Sequence, residues 1–412
     1  MEISARANAV KESVTLKLNE KVVSMSESGK KVFNLTAGQL PFRPMPELVE
    51  GIGKEFAFLK SFQYTAVPGV VELRKKVINY IEESRGVRFR DLGIEVDCVV
   101  SNGAKHSIYN ILGALIDPED EVIILSPYWI SYPEMIRCWG GIPVEVASSK
   151  FESYIPAVEE IEKSITKKTR AIIVNSPNNP SGISYPKSWM KNFANLLLKH
   201  PHLSIVSDEI YFELSYFDPK PTYFYQFEPS LLKRTIIVDG ISKSLACTGL
   251  RVGYSVGPKN FLAAVEKIQA QTTSGANSLI QRSLVTFDFA LMEKFLSPIR
   301  VHLRNNANVI RKIFEENALQ SSWYQVNSAF YFLVDFQSTP VFKRYLKNDS
   351  INHALKDDFS VAICSDLLER KGVAIVPGSD FGIANSGRLS LVLEEKPFLE
   401  SIKLLAEFMV GE

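Results

Sequence analysis

Thr235-Ile-Ile-Val-Asp-Gly-Ile-Ser-Lys-Ser-Leu-Ala-Cys-Thr-Gly-Leu-Arg-Val-Gly253 is the stretch from which the fold is read. Its first four residues are β-branched and show no polar alternation, the pattern of a strand buried on both faces. The run then meets Gly240, and small residues surround a lone lysine, Lys243. Arg251 follows eight positions on, just past a glycine. A lysine in such surroundings can condense with a carbonyl group, and the arginine can hold an anion beside it.

Working outward, segments 98–101, 121–125, 171–175 and 203–207 repeat the same nearly continuous apolar pattern. Amphipathic stretches lie between them: Val70, Leu73, Val77 and Tyr80 recur at helical spacing, as do Ile108, Ile111, Leu112 and Leu115. Buried strands alternating with helices predict an α/β fold with a mostly parallel sheet. The last third reads differently. Residues 300–317 predict a long charged helix, 330–336 an aromatic strand, 373–376 and 388–393 further strands. Phe398, Ile402, Leu405 and Met409 predict a closing helix, so a smaller α+β domain is expected. Pro298 interrupts a helical pattern and suggests a boundary near it. The division expected is an N-terminal segment 1–45, a large domain 46–290 and a small domain 291–412, the first packing on the small domain or on a partner subunit. No internal repeat or low-complexity tract appears.

Lys and Arg total 47 against 46 Asp and Glu, a net charge of +1, so composition offers no electrostatic case for nucleic acid or an anionic membrane. No apolar run approaches the ~20 residues of a membrane span. The N-terminus mixes charges with isolated apolar residues and lacks the apolar core of a secretory signal. Cys98, Cys138, Cys247 and Cys364 lie far apart with no CxxC pair, against a disulfide framework or zinc site and in favour of a reducing cytoplasm. Five scattered histidines show no ligand spacing, so no metal is expected; His106 reads as helix surface.

Five further motifs carry chemistry. Ser101-Asn-Gly-Ala-Lys105 follows a strand and opens a helix. Gly103 lets the chain turn, and the free N–H groups of the helix start attract anions. Alone it is one of many such turns; Arg251 supplies the counter-charge an anion needs. Asp208, in Ser207-Asp-Glu-Ile-Tyr211, ends a buried strand where open α/β sheets bind ligands, and also reads as a helix cap. Glu209 points elsewhere. Asn175-Ser-Pro-Asn-Asn-Pro-Ser-Gly182 is a stiff turn that aims an amide such as Asn179. Trp129, in Ser126-Pro-Tyr-Trp-Ile-Ser-Tyr132, is either a flat stacking face or a core aromatic. Arg388, in Ser386-Gly-Arg-Leu-Ser-Leu391, is either a surface residue or a two-pronged carboxylate clamp.

Taken in order with Leu35-Thr-Ala-Gly38 and Tyr64-Thr-Ala-Val-Pro-Gly69, these motifs resemble the class I/II aminotransferases of pyridoxal-phosphate fold type I, over nearly the whole chain. That resemblance implies an α/β large domain with a seven-stranded-type sheet, a small α+β domain, and pyridoxal 5′-phosphate as cofactor. It implies that Lys243 is the Schiff-base lysine and moves the substrate proton. Asp208 pairs with the pyridine nitrogen, Asn179 and Tyr211 hold the phenolate oxygen, and Trp129 stacks on the ring. Gly103, Ala104, Lys105 and Arg251 surround the phosphate. Tyr64 reaches the neighbouring subunit's cofactor, which implies a homodimer. Gly38, Trp129, Asn179 and Arg388 contact the amino-acid substrate.

The Pro127-Tyr-Trp-Ile-Ser-Tyr-Pro-Glu-Met135 run is most similar to bacterial aspartate and aspartate/prephenate aminotransferases. Those carry an N-terminal Lys-x-Ser-x-Thr that meets the substrate side chain, matched here by Lys11, Ser13 and Thr15. The expected activity is transfer of an amino group from an L-amino acid, aspartate first, to a 2-oxo acid such as 2-oxoglutarate. Aromatic, alanine or other donors stay open, as does a C–S lyase on the same fold or a silent binding module. Three departures bear on the substrate: Gln39-Leu40 where the family has an acid and a proline, Cys247 for a larger hydrophobe, and Ser328 for a glycine.

Overall fold

The computed structural model describes residues 1–10, 14–217, 220–347 and 358–411. Its first strand, β1 (Phe33–Asn34), pairs with the C-terminal part of the chain. The main sheet is built from β2 (Val96–Ser101), β3 (Glu121–Leu125), β4 (Ile142–Val146), β5 (Thr169–Asn175), β6 (Ser204–Asp208), β7 (Thr235–Gly240) and β8 (Gly253–Pro258). Their order is β2-β8-β7-β6-β5-β3-β4. The five strands β7, β6, β5, β3 and β4 are parallel, and β8 runs antiparallel to both its neighbours. This is the α/β fold expected.

Why the strands read as continuous apolar runs is visible in the packing. Ile123, Ile172, Ile205 and Ile237 face one core, whereas Val122, Ile173, Val206 and Ile236 face the other. Each such buried side chain contributes about 1.5–3 kcal/mol. Helices Val71–Arg85 and Lys187–Lys199 bury their apolar faces in the first core, and Ala104–Leu115 buries its own in the second.

Two strands of the main sheet, and the short β1 outside it, have no counterpart in the expected set. β4 is an edge strand whose Ile142 and Glu145 are exposed and whose Pro143 breaks the apolar run. β8 is wholly buried but carries Gly253 and Gly257, residues that read as turns. A Cβ on Gly253 would sit 2.2 Å from the Ala104 nitrogen, so only glycine lets β8 pass the start of that helix.

The C-terminal part holds β9 (Tyr331–Asp335), β10 (Val373–Ala374), β11 (Val376–Pro377) and β12 (Ser386–Ser390). β12 lies between β11 and β9, antiparallel to both, and β10 pairs in parallel with β1. The expected 300–317 helix is longer, Leu291–Glu316, and Pro298 lies inside it rather than interrupting it. One lost N–H costs less than the stripe Met292, Leu296, Ile299, Leu303, Ile310, Ile313 and Phe314 gains by burial. The closing helix is Glu395–Val410. From the N-terminal segment, Val22 packs on Leu368 and Ala374, and Lys21 pairs with Glu369 at 2.6 Å. Among the described residues, no helix is long and apolar enough to cross a membrane.

Candidate active site

The strand ends β2, β5, β6 and β7 and the β1 and β12 segments open onto one cavity of about 1160 Å³. Its walls include Gly38, Ala104, Lys105, Trp129, Asn179, Asp208, Tyr211, Lys243, Arg251 and Arg388. Residues 352 positions apart in the chain thus meet: Arg388 Nη2 donates to the Thr36 carbonyl at 2.8 Å.

One end of the cavity is an anion cradle. β2 stops at Ser101, Gly103 turns with φ 87°, and the helix begins at Ala104. A Cβ on Gly103 would lie 2.4 Å from Arg251 Nη2, so the glycine is required for both its backbone angle and the approach of the guanidinium. Arg251 donates from Nη1 to the Thr248 carbonyl at 2.9 Å and from Nη2 to the Asn102 carbonyl at 3.3 Å. The Lys105 ammonium is held below its ordinary value, first by burial and then by Arg251. Neither cation has an ion pair among the described residues. His106 is half-buried rather than a surface residue, because its Nδ1 accepts the Asn102 N–H at 3.3 Å and so braces the same turn.

The cavity floor is a buried carboxylate. Asp208 Oδ2 accepts from Tyr132 Oη at 2.5 Å, and Oδ1 from the Ile210 N–H at 3.3 Å. Burial pushes this acid up to about 6, against the pull of both hydrogen bonds. Asn175 holds the neighbouring backbone: Nδ2 donates to the Asp208 carbonyl at 3.0 Å while Oδ1 accepts the Asn179 N–H at 2.9 Å. Trp129 meets Tyr132 edge-on, ring centroids 5.5 Å apart, and the Lys105 ammonium lies 5.3 Å from the Trp129 ring.

Lys243 lies in the turn of helix Ile241–Ser244 that follows β7. Its Nζ donates to the Gly38 carbonyl at 2.5 Å and stands 5.9 Å from the Tyr211 ring. The amine is lowered to about 8 by burial first, then by Arg388 and Arg251, with Asp208 opposing. Above them, Arg388 Nη1 donates to Asn179 Oδ1 at 3.2 Å, and its guanidinium lies 4.6 Å from the Tyr331 ring. Among the described residues, Arg388 Nε is buried without a partner. Tyr211 and Tyr331 share a hydrogen bond of 3.2 Å between their hydroxyls.

Glu209 indeed turns away from the cavity. It accepts from Arg85 Nε at 2.9 Å, and Arg85 Nη2 donates to Asp239 Oδ2 at 2.7 Å. Tyr132, Asn175 and Tyr331 on the cavity wall, and Arg85 bracing Glu209 behind it, are the residues the sequence reading missed. Tyr132 carried a usable signal, three residues after Trp129 at the start of a helix. Arg85 carried none, since a charged residue in a helix's last turn reads as solvated. Gln39, the departure from the family acid, accepts from Thr248 Oγ1 at 3.0 Å on the cavity wall. Tyr64 is not in this cavity; it is 95% exposed at the surface. Lys11 and Ser13 lie outside the described residues, as does the side chain of Thr15, whose backbone belongs to the helix Val14–Glu27.

The donor set suits a phosphorylated aromatic aldehyde. An amine stands in a cavity with a buried acid that hydrogen bonds alone do not restore to its ordinary value. At one end two cations flank a helix start. At the other, a buried arginine keeps one N–H unmet.

Comparison with known proteins gives one consistent picture. Residues 30–398 match the family model for aminotransferase class I and II. The bifunctional aspartate aminotransferase and glutamate/aspartate-prephenate aminotransferase of Petunia hybrida is 34% identical over 95% of this chain and 79% of its own length. The asparagine–oxo-acid transaminase of Streptococcus mutans is 31% identical over 99% of both. The solved structure of Thermus thermophilus aspartate aminotransferase with maleate superposes with a TM-score of 0.86, at 30% identity and 99% coverage of each chain.

Proposed function

This chain belongs to the class I and II aminotransferases, and from that premise we propose that its amino donor is aspartate and its acceptor a 2-oxo acid such as 2-oxoglutarate. The family works with pyridoxal 5′-phosphate. When bound, that group supplies an aldehyde for the substrate amine and a ring that accepts the electrons of a breaking Cα–H bond.

The chain's own residues then have distinct tasks. The Gly103-Ala104-Lys105 turn and Arg251 hold the phosphate. Asp208 keeps a proton on the ring nitrogen, and Asn179 and Tyr211 donate to the phenolate oxygen. Trp129 covers one ring face. Arg388 takes the substrate α-carboxylate, its unmet Nε making a planar fork with the guanidinium's outer edge. Lys243 Nζ takes the Cα proton and returns one on the far side of the transfer, acting as base and then acid. The observation that carries the reading is the shared cavity of Lys243, Asp208 and Arg388, with the anion cradle at its end.

Aspartate is favoured because two of the relatives are named for it, and one was solved with maleate, a four-carbon dicarboxylate. The Streptococcus relative is named for asparagine, whose side chain has the same shape but carries a neutral amide, with an N–H donor group, in place of the carboxylate. A stopped-flow panel of single amino acids, scored by loss of the bound cofactor's visible absorbance, separates these. Aspartate is expected to react fastest, by about tenfold or more over asparagine, the value of one charge-assisted contact. Alanine or phenylalanine matching aspartate would sink the assignment. Lys11, Ser13 and Thr15 stay the proposed wall for the second carboxylate.

The same reading makes the protein a homodimer, with Tyr64 reaching the partner's cofactor phosphate. Support comes from Phe56, Phe58, Leu59, Phe62 and Tyr64, which are 56% to 95% exposed within nine residues of chain; contiguous apolar surface of this kind marks an interface. Sedimentation at micromolar concentration is expected to show the dimer mass, and a monomer there would remove Tyr64 from the site. The proposed domains, 46–290 and 291–412, are supported by the seven-stranded sheet falling within 96–258 and the three-stranded one within 331–390. The four unpaired cysteines support a reducing cytoplasm.

A further inference from the structure

Beneath the anion cradle lies a side chain that the reaction itself never uses. The helix Lys259–Ala270 sends Gln269 into the interior with no exposed surface. A primary amide offers two donors and two acceptor positions, and here all four are taken. Oε1 accepts from Ser101 Oγ at 2.6 Å and from Asn110 Nδ2 at 3.1 Å. Nε2 donates to the carbonyls of Val67 and Val100, each at 2.8 Å.

Those partners come from three separate pieces of chain. Val100 and Ser101 are the last residues of β2, immediately before the cradle turn. Asn110 belongs to the helix whose free N–H groups form the cradle. Val67 lies in the loop that follows Tyr64, and the Val100 N–H also donates to the Pro68 carbonyl at 2.9 Å. A second buried amide, Gln281, holds the far end of that loop. Its Oε1 accepts the Val70 N–H at 2.9 Å, and its Nε2 donates to the Ala276 carbonyl at 2.9 Å.

A fully satisfied buried amide permits one arrangement of its partners, because any shift leaves a desolvated group unmade. Anion recognition by backbone N–H groups is sensitive to displacements below 1 Å. We propose that Gln269 is a positioning residue for the cofactor's phosphate, locking the strand end, the helix start and the Tyr64 loop into a single rigid cradle. The assignment rests on the aminotransferase reading, since it takes the cradle to be the phosphate site.

The test uses the purified protein stripped of cofactor and titrated separately with pyridoxal 5′-phosphate and with pyridoxal, which lacks the phosphate. Gln269→Met keeps the volume and deletes all four bonds. Its affinity for the phosphorylated aldehyde is expected to fall about tenfold, the value of one well-aimed hydrogen bond to a charged group, with pyridoxal affinity unchanged. Ser101→Ala deletes only the hydroxyl link and is expected to shift the same ratio in the same direction by a smaller factor. It carries the test if the methionine variant does not fold. Variants that keep the wild-type ratio, or that weaken for both aldehydes alike, overturn the positioning role. A wild-type protein that binds the two aldehydes equally fails earlier, at the cradle itself, and takes the Gln269 assignment with it.

Discussion

Replacing Lys243 with alanine is expected to lower turnover by about 10²–10⁴-fold through loss of the proton carrier alone, and to end covalent retention of the cofactor. The side chain lines the cavity and, among the described residues, makes one hydrogen bond, to the Gly38 carbonyl, so its removal leaves the surrounding packing in place. Borohydride treatment followed by mass spectrometry reads the covalent half: the wild-type chain gains the cofactor's mass and the variant does not. A variant that retains the added mass would move the linkage to another lysine and strip Lys243 of its role.

The wild-type protein supplies a pH signature for the same amine. Burial and two nearby arginines lower Lys243 to about 8. Only the neutral amine attacks an aldehyde, so at pH 8 about half the molecules are competent, against roughly one in 250 for an ordinary lysine near 10.4. Capture of pyridoxal 5′-phosphate by the stripped protein is therefore expected to accelerate as pH rises and to level off above about 8. A rate still climbing steeply at pH 10 would place the amine at its ordinary value.

Asp208→Asn has the second large effect, and it runs in opposite directions for function and for stability. Asparagine cannot hold a proton on a ring nitrogen by charge. Removing one partner of a buried ion pair costs about 3–5 kcal/mol, or about 10²–10⁴-fold in kcat. Cofactor capture by Lys243 survives. Without cofactor the balance reverses. The folded value of Asp208, about 6, lies above the ordinary carboxylate value, so the native state binds this proton more tightly than the unfolded chain. Its contribution is greatest at low pH and is lost as pH rises from about 4 to about 6. The ionised acid then costs on the order of 3 kcal/mol, which the neutral amide does not. The stripped variant is expected to melt higher than stripped wild type at pH 7–8, with the gap closing toward pH 4. A lower melting temperature for the variant at pH 8 would show that Tyr132 and the Ile210 N–H already satisfy the acid fully.

Such a cost fits a carboxylate kept for its cofactor rather than for the fold. The Arg85–Glu209–Asp239 group is the contrast. There each charge faces a partner at 2.9 Å or less, and none lines the cavity.

Most of the cavity's chemistry was legible in the chain because strand ends in an α/β sheet announce themselves. The apolar runs of β5 and β6 end on Asn175 and Asp208, and that of β7 is followed within a few residues by Lys243; all three side chains line the cavity. Lys243, Asp208, Asn179 and Arg251 needed no coordinates. The main-sheet strands that escaped notice did so for physical reasons: β4 is an exposed edge, and β8 hides its burial behind glycines whose purpose is close backbone contact. Pro298 misled because helix propensity is a local preference, whereas the apolar stripe it interrupts is paid back only by a distant helix.

The linear chain determined the fold class, the family and most of the residues proposed to handle cofactor and substrate, since each depends on local pattern and residue type. The three-dimensional packing decided what those residues are worth. The acidity of Asp208, the depressed amine of Lys243, the unmet Nε of Arg388 and the four bonds of Gln269 depend on the packed surroundings, most of them supplied by residues dozens to hundreds of positions away. Desolvation and hydrogen-bond geometry are properties of a surrounding, and a surrounding exists only once the chain has closed on itself.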